Sequence, residues 1–480
     1  MPVVQPPQQA RAAHPLLVTA ICAGAMFMEM LDSTIILTAF PRMATDFHAR
    51  PVELSIGVTS YLLALAALLP ASGWIADRFG TRRVFLAAMA GFVLTSVLCA
   101  QSPSLTAFAM ARALQGACGA LMSPVARVAM VRTMRGSRLA HAINFCAMMA
   151  LLGPAIGPPL GGWLATYWNW RWIFLINVPV GVAGWLLARA ALPDYRSAER
   201  RVFDRAGFAL NALALMAVLY GLEALSKTGG DRRAAAAVVV GGLVIAGFAV
   251  RHARRKARGL IDISPLAVAS FRYGLVGGIL FRLGMFAPVF VLPLLLQLGL
   301  GLDAFTAGLY IMVGAAADVL TKSLVLPGLR RLGFRRMLIG STVVHGGFAL
   351  LLLLVNAHTP AMVIVLLLAL GGSARSFHMS SSNMILYAEL PPEQVSGGST
   401  LAALSQQVSM ALAVAVSALL VEQSAHWSGG GPAAQVRLHD FWPALLLSAV
   451  LSVWAVRWYL RLHRDAGAEL SGRPARSAAD

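Results

Sequence analysis

Long apolar runs alternate with short polar segments along nearly the whole chain. A helix rises 1.5 Å per residue, so about 20 apolar residues cross one hydrocarbon layer. On that scale the pattern predicts spans near 16–39, 54–76, 83–100, 105–130, 140–165, 171–191, 206–225 and 234–250. Six more follow near 271–298, 304–327, 337–355, 360–381, 396–422 and 441–460, which makes fourteen helices. Peptide groups in hydrocarbon need partners within their own segment, which selects helices. The runs are too long and too uniformly apolar for barrel strands, which alternate. The expected fold class is an all-α polytopic membrane protein.

Composition agrees. Of 480 residues, 58% are apolar and 12% charged, against about 25% charged in a soluble domain. Mean hydropathy is +0.72. These values exclude a disordered chain, a soluble enzyme with one anchor and a secreted disulfide scaffold. Cys22, Cys99, Cys118 and Cys146 lie in apolar runs without CxxC spacing and read as packing residues. The run starting at Leu16 is interrupted by Glu29 and Asp32 and shows no cleavage site, so it reads as a retained first span and not a signal peptide.

The net charge of +19 would suggest nucleic acid in a soluble protein. Here its distribution gives another reading. With the N-terminus in the cytoplasm, 28 of the 39 Lys and Arg fall in inward segments, 7 outside and 4 within spans. That bias predicts two cytoplasmic termini in a cell membrane and no nucleic-acid partner. The loop 382–395 contributes no Lys or Arg. The expected organisation is a disordered tail over 1–15, a six-helix half over 16–192, a linker with two inserted helices over 193–270, a second six-helix half over 271–462 and a tail over 463–480. Doubling of this kind is common in secondary transporters, with the substrate site between the halves.

Between the second and third spans stand Gly73, Asp77, Arg78, Gly80, Arg82 and Arg83. Glycines permit a tight turn, and an aspartate among arginines can break and re-form charge-assisted bonds as helices tilt. A plain topology-setting loop is the simpler reading, but the full spacing resembles the loop signature of the major facilitator superfamily. Three further stretches resemble the drug:proton antiporter pattern of that superfamily: Leu31-Asp32 through Pro41, Ala111-Arg112 through Gly119, and Gly153 through Gly162. The stretch Trp172 to Gly181 is similar to the fourteen-helix branch, and within it the chain looks closest to multidrug transporters of bacterial inner membranes. The resemblance covers residues 16–460 and implies two six-helix halves plus two inserted helices.

Glu29 and Asp32 are three apart and are expected to share a helix face. Intramembrane carboxylates are costly and usually functional, and such a pair suits proton loading and release; a bracing role for Asp32 is the alternative. Arg112, with Gln115 beside it, cannot lose its charge and needs an acceptor. The resemblance implies a coupling role for Arg112; a structural ion pair, with Asp32 as one partner, is the alternative. Gly153, Gly157 and Gly161 repeat every four residues, while Pro154, Pro158 and Pro159 bend the helix. With Gly162, this run is expected to act as a hinge between the halves.

In the second half, Arg330 and Leu326 stand where the first half has Asp77 and Gly73, so an asymmetric inner gate is expected. Asp318 and Lys322 are four apart and are expected to pair. Arg282 and Arg375 are then surplus cations, held by backbone carbonyls or available to an anionic substrate. The substrate cavity is expected to involve Met28, Gln115, Met148, Arg282, Arg375 and Gln406. His345 and His378 have no metal-ligand spacing, and the chain lacks a GxxxxGK[ST] phosphate loop. The expectation is a non-enzymatic, monomeric, proton-driven antiporter exporting small amphipathic compounds without cofactor or metal. The alternative substrate class is organic anions or metal chelates such as citrate-like compounds.

Overall fold

The computed structural model describes residues 15–134, 136–196, 203–226, 231–255, 262–391, 394–428 and 436–468. The expected N-terminal tail and most of the C-terminal tail lie outside them. The described residues contain no strand. Among the described residues, thirteen helices are long and apolar enough to cross a membrane. We number them α1 (Pro15–Ile35), α2 (Ser55–Phe79), α3 (Thr81–Ala100), α4 (Leu105–Thr133), α5 (Gly136–Tyr167), α6 (Asn177–Ala191), α7 (Arg205–Ser226) and α8 (Arg232–Arg255). Then come α9 (Ala269–Leu294), α10 (Ala304–Leu351), α11 (Ala361–Ile385), α12 (Val395–Trp427) and α13 (Trp442–Tyr459).

Helix α10 has 48 residues, roughly 70 Å of helix against a hydrocarbon layer of about 30 Å. It is broken at Gly333, where φ is 76° and ψ is 166°. Gly80, between α2 and α3, has φ 96° and ψ 138°. Only glycine adopts such angles without strain. Gly80 follows Asp77 by three residues, and Gly333 follows Arg330 by three. The second half has lost the acid of the loop motif but keeps its turn.

Local chemistry sets the helix starts. Ser104 Oγ accepts from the Ala107 amide at 3.2 Å ahead of α4. Asp303 accepts from the Phe305 and Thr306 amides at 3.0 Å each, and from Thr306 Oγ1 at 2.6 Å, ahead of α10. The Thr306 hydroxyl, then its amide, hold the Asp303 carboxyl below the usual carboxylate range.

In the first half α1 packs on α5, and α4 on both α2 and α3. In the second, α9 packs on α12 and α13, and α10 on α11 and α13. The halves meet along α5–α10 and α2–α12. Helix α7 lies against α2 and α12, and α8 lies against α7. Val240, Leu243, Val244 and Phe248 of α8 are exposed, an apolar face suited to lipid. Cys22, Cys99 and Cys146 are buried, and all four cysteines are free.

The glycine run on α5 departs from its expected placement. Gly153, Gly157 and Gly161 do not face the other half; they admit α1. A Cβ at Gly153 would stand 2.7 Å from the Leu31 amide nitrogen, and one at Gly161 would run into the Ile35 carbonyl. The contact between halves uses the adjoining face, about 100° round the helix, where Gly162 backs onto the Ala304 carbonyl and Gly308 of α10 onto the Pro158 carbonyl. A helix that serves two neighbours needs small residues on both faces.

At the end away from the arginine-rich loops, the halves are joined. Arg50 pairs with Glu422 of α12. Gln297 Nε2 donates to the Thr38 carbonyl at 3.1 Å, and the Phe40 and Phe290 rings lie 6.3 Å apart.

Candidate functional site

Between the halves lies a cavity of about 240 Å³, bordered by α1, α2 and α5 on one side and α9, α10, α11 and α12 on the other. Its walls are mostly apolar, including Leu37, Leu62, Leu65, Met285, Phe286, Phe348 and Met410. The charged groups on its walls are Glu29, Asp318 and Arg375; His345, Gln406 and Gln407 add polar atoms.

Glu29 and Asp32 do not share the cavity. Three residues of helix turn a side chain by about 300°, leaving the two some 60° apart. At this interface that angle separates two environments. Glu29 borders the cavity, and its Oε2 accepts from Ser123 Oγ of α4. Asp32 points into the first-half bundle and is fully enclosed.

Asp32 is held from two helices, α4 and α6. Arg112 Nη1 donates to Oδ2 at 2.6 Å. Gln115 Nε2 and Asn177 Nδ2 donate to Oδ1 at 3.1 and 2.8 Å. Gln115 and Asn177 also donate to Ser96 Oγ, at 2.8 and 3.3 Å. Arg112 Nη1 further reaches Gln115 Oε1 at 2.6 Å, and its Nε donates to the Gly57 carbonyl at 3.1 Å. The guanidinium lies 4.4 Å from the Tyr61 ring. Tyr61 also borders the cavity, so its ring stands between the chamber and this cluster. Gly116 and Gly119 of α4 create the room for it: a Cβ at Gly116 would strike the Tyr61 carbonyl, and one at Gly119 would stand 3.1 Å from its hydroxyl.

On the opposite wall, Arg375 Nε donates to Asp318 Oδ2 at 2.9 Å. This corrects the expected Asp318–Lys322 pair and removes Arg375 from the surplus cations. The cause is a close approach of α10 and α11: a Cβ at Gly372 would run into the Gly314 carbonyl. One turn along, that approach brings Arg375 within reach of Asp318.

Arg375 and Gln406 border the cavity as expected; Met28, Gln115, Met148 and Arg282 do not. Met28 and Arg282 are buried within their own bundles, and Gln115 belongs to the Asp32 cluster. Met148 faces outward and is 49% exposed. Met30 is the methionine that α1 presents to the chamber. Asn177, Ser96, Tyr61 and Ser123 escaped sequence reasoning. Only Asn177 had a signal, its place in the Trp172–Gly181 stretch.

In the loop motif, Asp77 Oδ1 pairs with Arg132 Nη2 of α4 at 3.1 Å, and not with its neighbouring arginines Arg78, Arg82 and Arg83. The start of α3 is tied to the chain after α6: Thr81 donates its amide to the Tyr195 carbonyl at 3.0 Å, and the Arg82 amide donates to Asp194 Oδ1 at 3.2 Å. Gly80 makes the turn, whereas Gly73 faces open space and makes no close helix approach.

A family model described as "Major Facilitator Superfamily" matches residues 22–414. Among similar proteins is "Putative multidrug resistance protein MdtD" of Cronobacter sakazakii, 34% identical over 436 residues, covering 91% of this chain and 92% of the relative. Another is "Probable transport protein HsrA" of Haemophilus influenzae, 31% identical over 455 residues, covering 95% and 97%. A crystal structure of a D-xylose-proton symporter superimposes with a TM-score of 0.65 at 14% identity, covering 94% of this chain and 99% of that one. A bacterial homolog of the human lysosomal transporter Spinster, inward-facing and unoccupied, gives 0.65 at 14% identity, covering 96% and 99%.

Proposed function

The chain belongs to the Major Facilitator Superfamily, as a transporter and not an enzyme, and on that footing we propose that it is a proton-coupled antiporter exporting small amphipathic compounds from a bacterial cell across its inner membrane. Counting the two arms of α10 separately, the chain crosses the bilayer fourteen times, with both termini in the cytoplasm. No cofactor is required; the proton gradient drives the cycle.

The observation that carries this reading is Glu29 on the wall of an apolar chamber between the halves. On the facing wall, Arg375 and Asp318 compensate each other. An ionised Glu29 therefore leaves the chamber with one net negative charge. In so apolar a space that charge is costly unless a proton or a cation accompanies it. A proton and a cationic amphiphile thus compete for one carboxylate, and competition for a site reached alternately from each side is exchange. Asp32 is engaged by Arg112, Gln115 and Asn177, so we assign it and Arg112 to transmission: they tie α1 to α4 and α6, and Tyr61 links them to the chamber. The joined end of the halves faces the outside, and rocking along α5–α10 and α2–α12 gives alternating access.

The organic-anion alternative needs an uncompensated cation in the chamber. Arg375 is paired and Arg282 lies elsewhere, so no described residue supplies one. The test is pH-driven uptake into inverted vesicles, with cationic dyes and citrate-like anions as substrates. Wild type accumulates dyes, and Glu29→Gln loses the pH-driven component. Undiminished pH-driven uptake by Glu29→Gln, or uptake of anions alone, would overturn the reading.

A further inference from the structure

Two arginines are almost completely buried, Arg112 and Arg282. The first is compensated by Asp32 and its amides. The second is not. Arg282, on α9, is 1% exposed and lies off the central cavity. Its Nη2 donates to Ser405 Oγ at 2.9 Å, and the Ser405 hydroxyl donates in turn to the Ala402 carbonyl at 2.8 Å. Its Nε has no partner, and no described carboxylate stands within ion-pair distance of it.

The neighbours do not supply the missing charge. His378 spans Thr342 Oγ1 and Tyr459 OH, 3.0 Å from each, and its ring stacks 3.4 Å from that of Phe281. Both of its nitrogens are thereby used. Beside the guanidinium is Ser382, whose fully buried hydroxyl has only the Tyr459 phenol as a polar neighbour besides the arginine. The two groups converge over Gly278. A Cβ built there would stand 3.0 Å from Ser382 Oγ, and 3.2 and 3.3 Å from Arg282 Nη1 and Nη2. The guanidinium and the hydroxyl thus pack directly on the glycine backbone, donors and a fixed positive charge side by side with no described acid among them.

A guanidinium cannot shed its proton, and an uncompensated charge in a protein interior costs several kcal/mol. We propose that Arg282 and Ser382 hold a small inorganic anion of the chloride class as a resident counter-ion in the second half. The enclosure, with Arg282 only 1% exposed, selects a small ion over an organic carboxylate. The anion does for Arg282 what Asp32 does for Arg112, so each half carries one compensated arginine at its core. This proposal is independent of what the protein exports.

The test uses the purified full-length protein. Equilibrium binding of radioactive chloride is measured alongside thermal unfolding in chloride, bromide, nitrate, acetate, citrate and gluconate at matched ionic strength. Wild type binds one chloride per chain and unfolds at higher temperature in chloride and bromide than in gluconate, because a ligand of the native state stabilises it. Arg282→Gln loses the binding and the anion dependence. Ser382→Ala binds about tenfold more weakly, the loss of one hydrogen bond to a charged group. Gly278→Ala, whose methyl would push the Arg282 guanidinium and Ser382 hydroxyl out of position, also weakens binding and stands in for Arg282→Gln if that variant does not fold. No chloride bound by wild type, equal binding by Arg282→Gln and Gly278→Ala, or stabilisation by acetate or citrate but not by halides would each overturn the proposal.

Discussion

Arg112 and Asp32, eighty positions apart in the chain, meet at 2.6 Å with both side chains closed off from solvent. Removing one partner strands a buried charge, which costs about 3–5 kcal/mol. Arg112→Ala should therefore unfold at markedly lower temperature than wild type. The double change Asp32→Asn with Arg112→Gln should lose less than the two single losses added, because no lone charge remains. Arg112→Lys should not restore stability: the guanidinium serves Asp32, Gln115 and the Gly57 carbonyl at once, beyond the reach of one ammonium. Thermal unfolding of Arg112→Ala, Arg112→Lys, the two single changes and the double change reads this directly. Additive losses in the double variant would refute the pairing energy.

Arg375 and Asp318 face the chamber, so their charge bears on selectivity as well as stability. Arg375→Gln leaves Asp318 uncompensated and adds a negative charge to the wall. We expect dicationic dyes to gain on monocationic ones by about tenfold, a difference of 1.4 kcal/mol. Asp318→Asn with Arg375→Gln should return the ratio towards wild type. Competition between the two dye classes in vesicle uptake measures it, and an unchanged ratio in Arg375→Gln counts against a role for this pair in selectivity.

Arg50 crosses from the first half to Glu422 in the second and also bonds Glu53 at 3.1 Å. The Glu422 side chain is only 5% exposed, so losing the arginine leaves a buried carboxylate behind. Arg50→Gln should loosen the joined end. In a chain without its native cysteines, Leu37→Cys on the cavity wall should then react several-fold faster with an impermeant maleimide added from outside. The exchange Arg50→Glu with Glu422→Arg should slow it again. Equal labelling rates in all three would show that this pair does not hold the end closed.

Asp303 caps α10 through two amides and a hydroxyl. Asp303→Ala should cost about 1 kcal/mol. The carboxyl is held below its ordinary value in the folded chain, so its contribution is present at neutral pH and is lost as pH falls through that depressed value. Wild type and Asp303→Ala should thus converge in unfolding temperature as the medium is acidified. A gap that stays constant down to strongly acidic pH would exclude the charged cap.

Much of the architecture was legible because it is local. A run of apolar residues satisfies its own backbone as a helix, whatever its neighbours do. The small-residue spacing at Gly153, Gly157 and Gly161 announced a close contact, but not with which helix. Asp318 and Lys322 illustrate the limit. Spacing along one helix suggested that pair, while the partner was chosen by the close crossing of Gly314 and Gly372, on two helices more than fifty residues apart. Met148 shows it again, since hydropathy does not tell a lipid-facing methionine from one facing a cavity.

The sequence by itself determined that this chain is a bundle of membrane helices, where its polar interruptions lie, and which few charges remain inside. Those follow from the cost of placing peptide groups and charges in hydrocarbon, which each segment meets on its own. Only the tertiary structure decided the roles of those charges. It turned Glu29 to the cavity and Asp32 into the bundle, joined Asp32 to Arg112 and Arg375 to Asp318, and left Arg282 without an acid among the described residues. Those outcomes depend on helix rotation and close crossing, where some 60° of turn or one missing Cβ selects the partner.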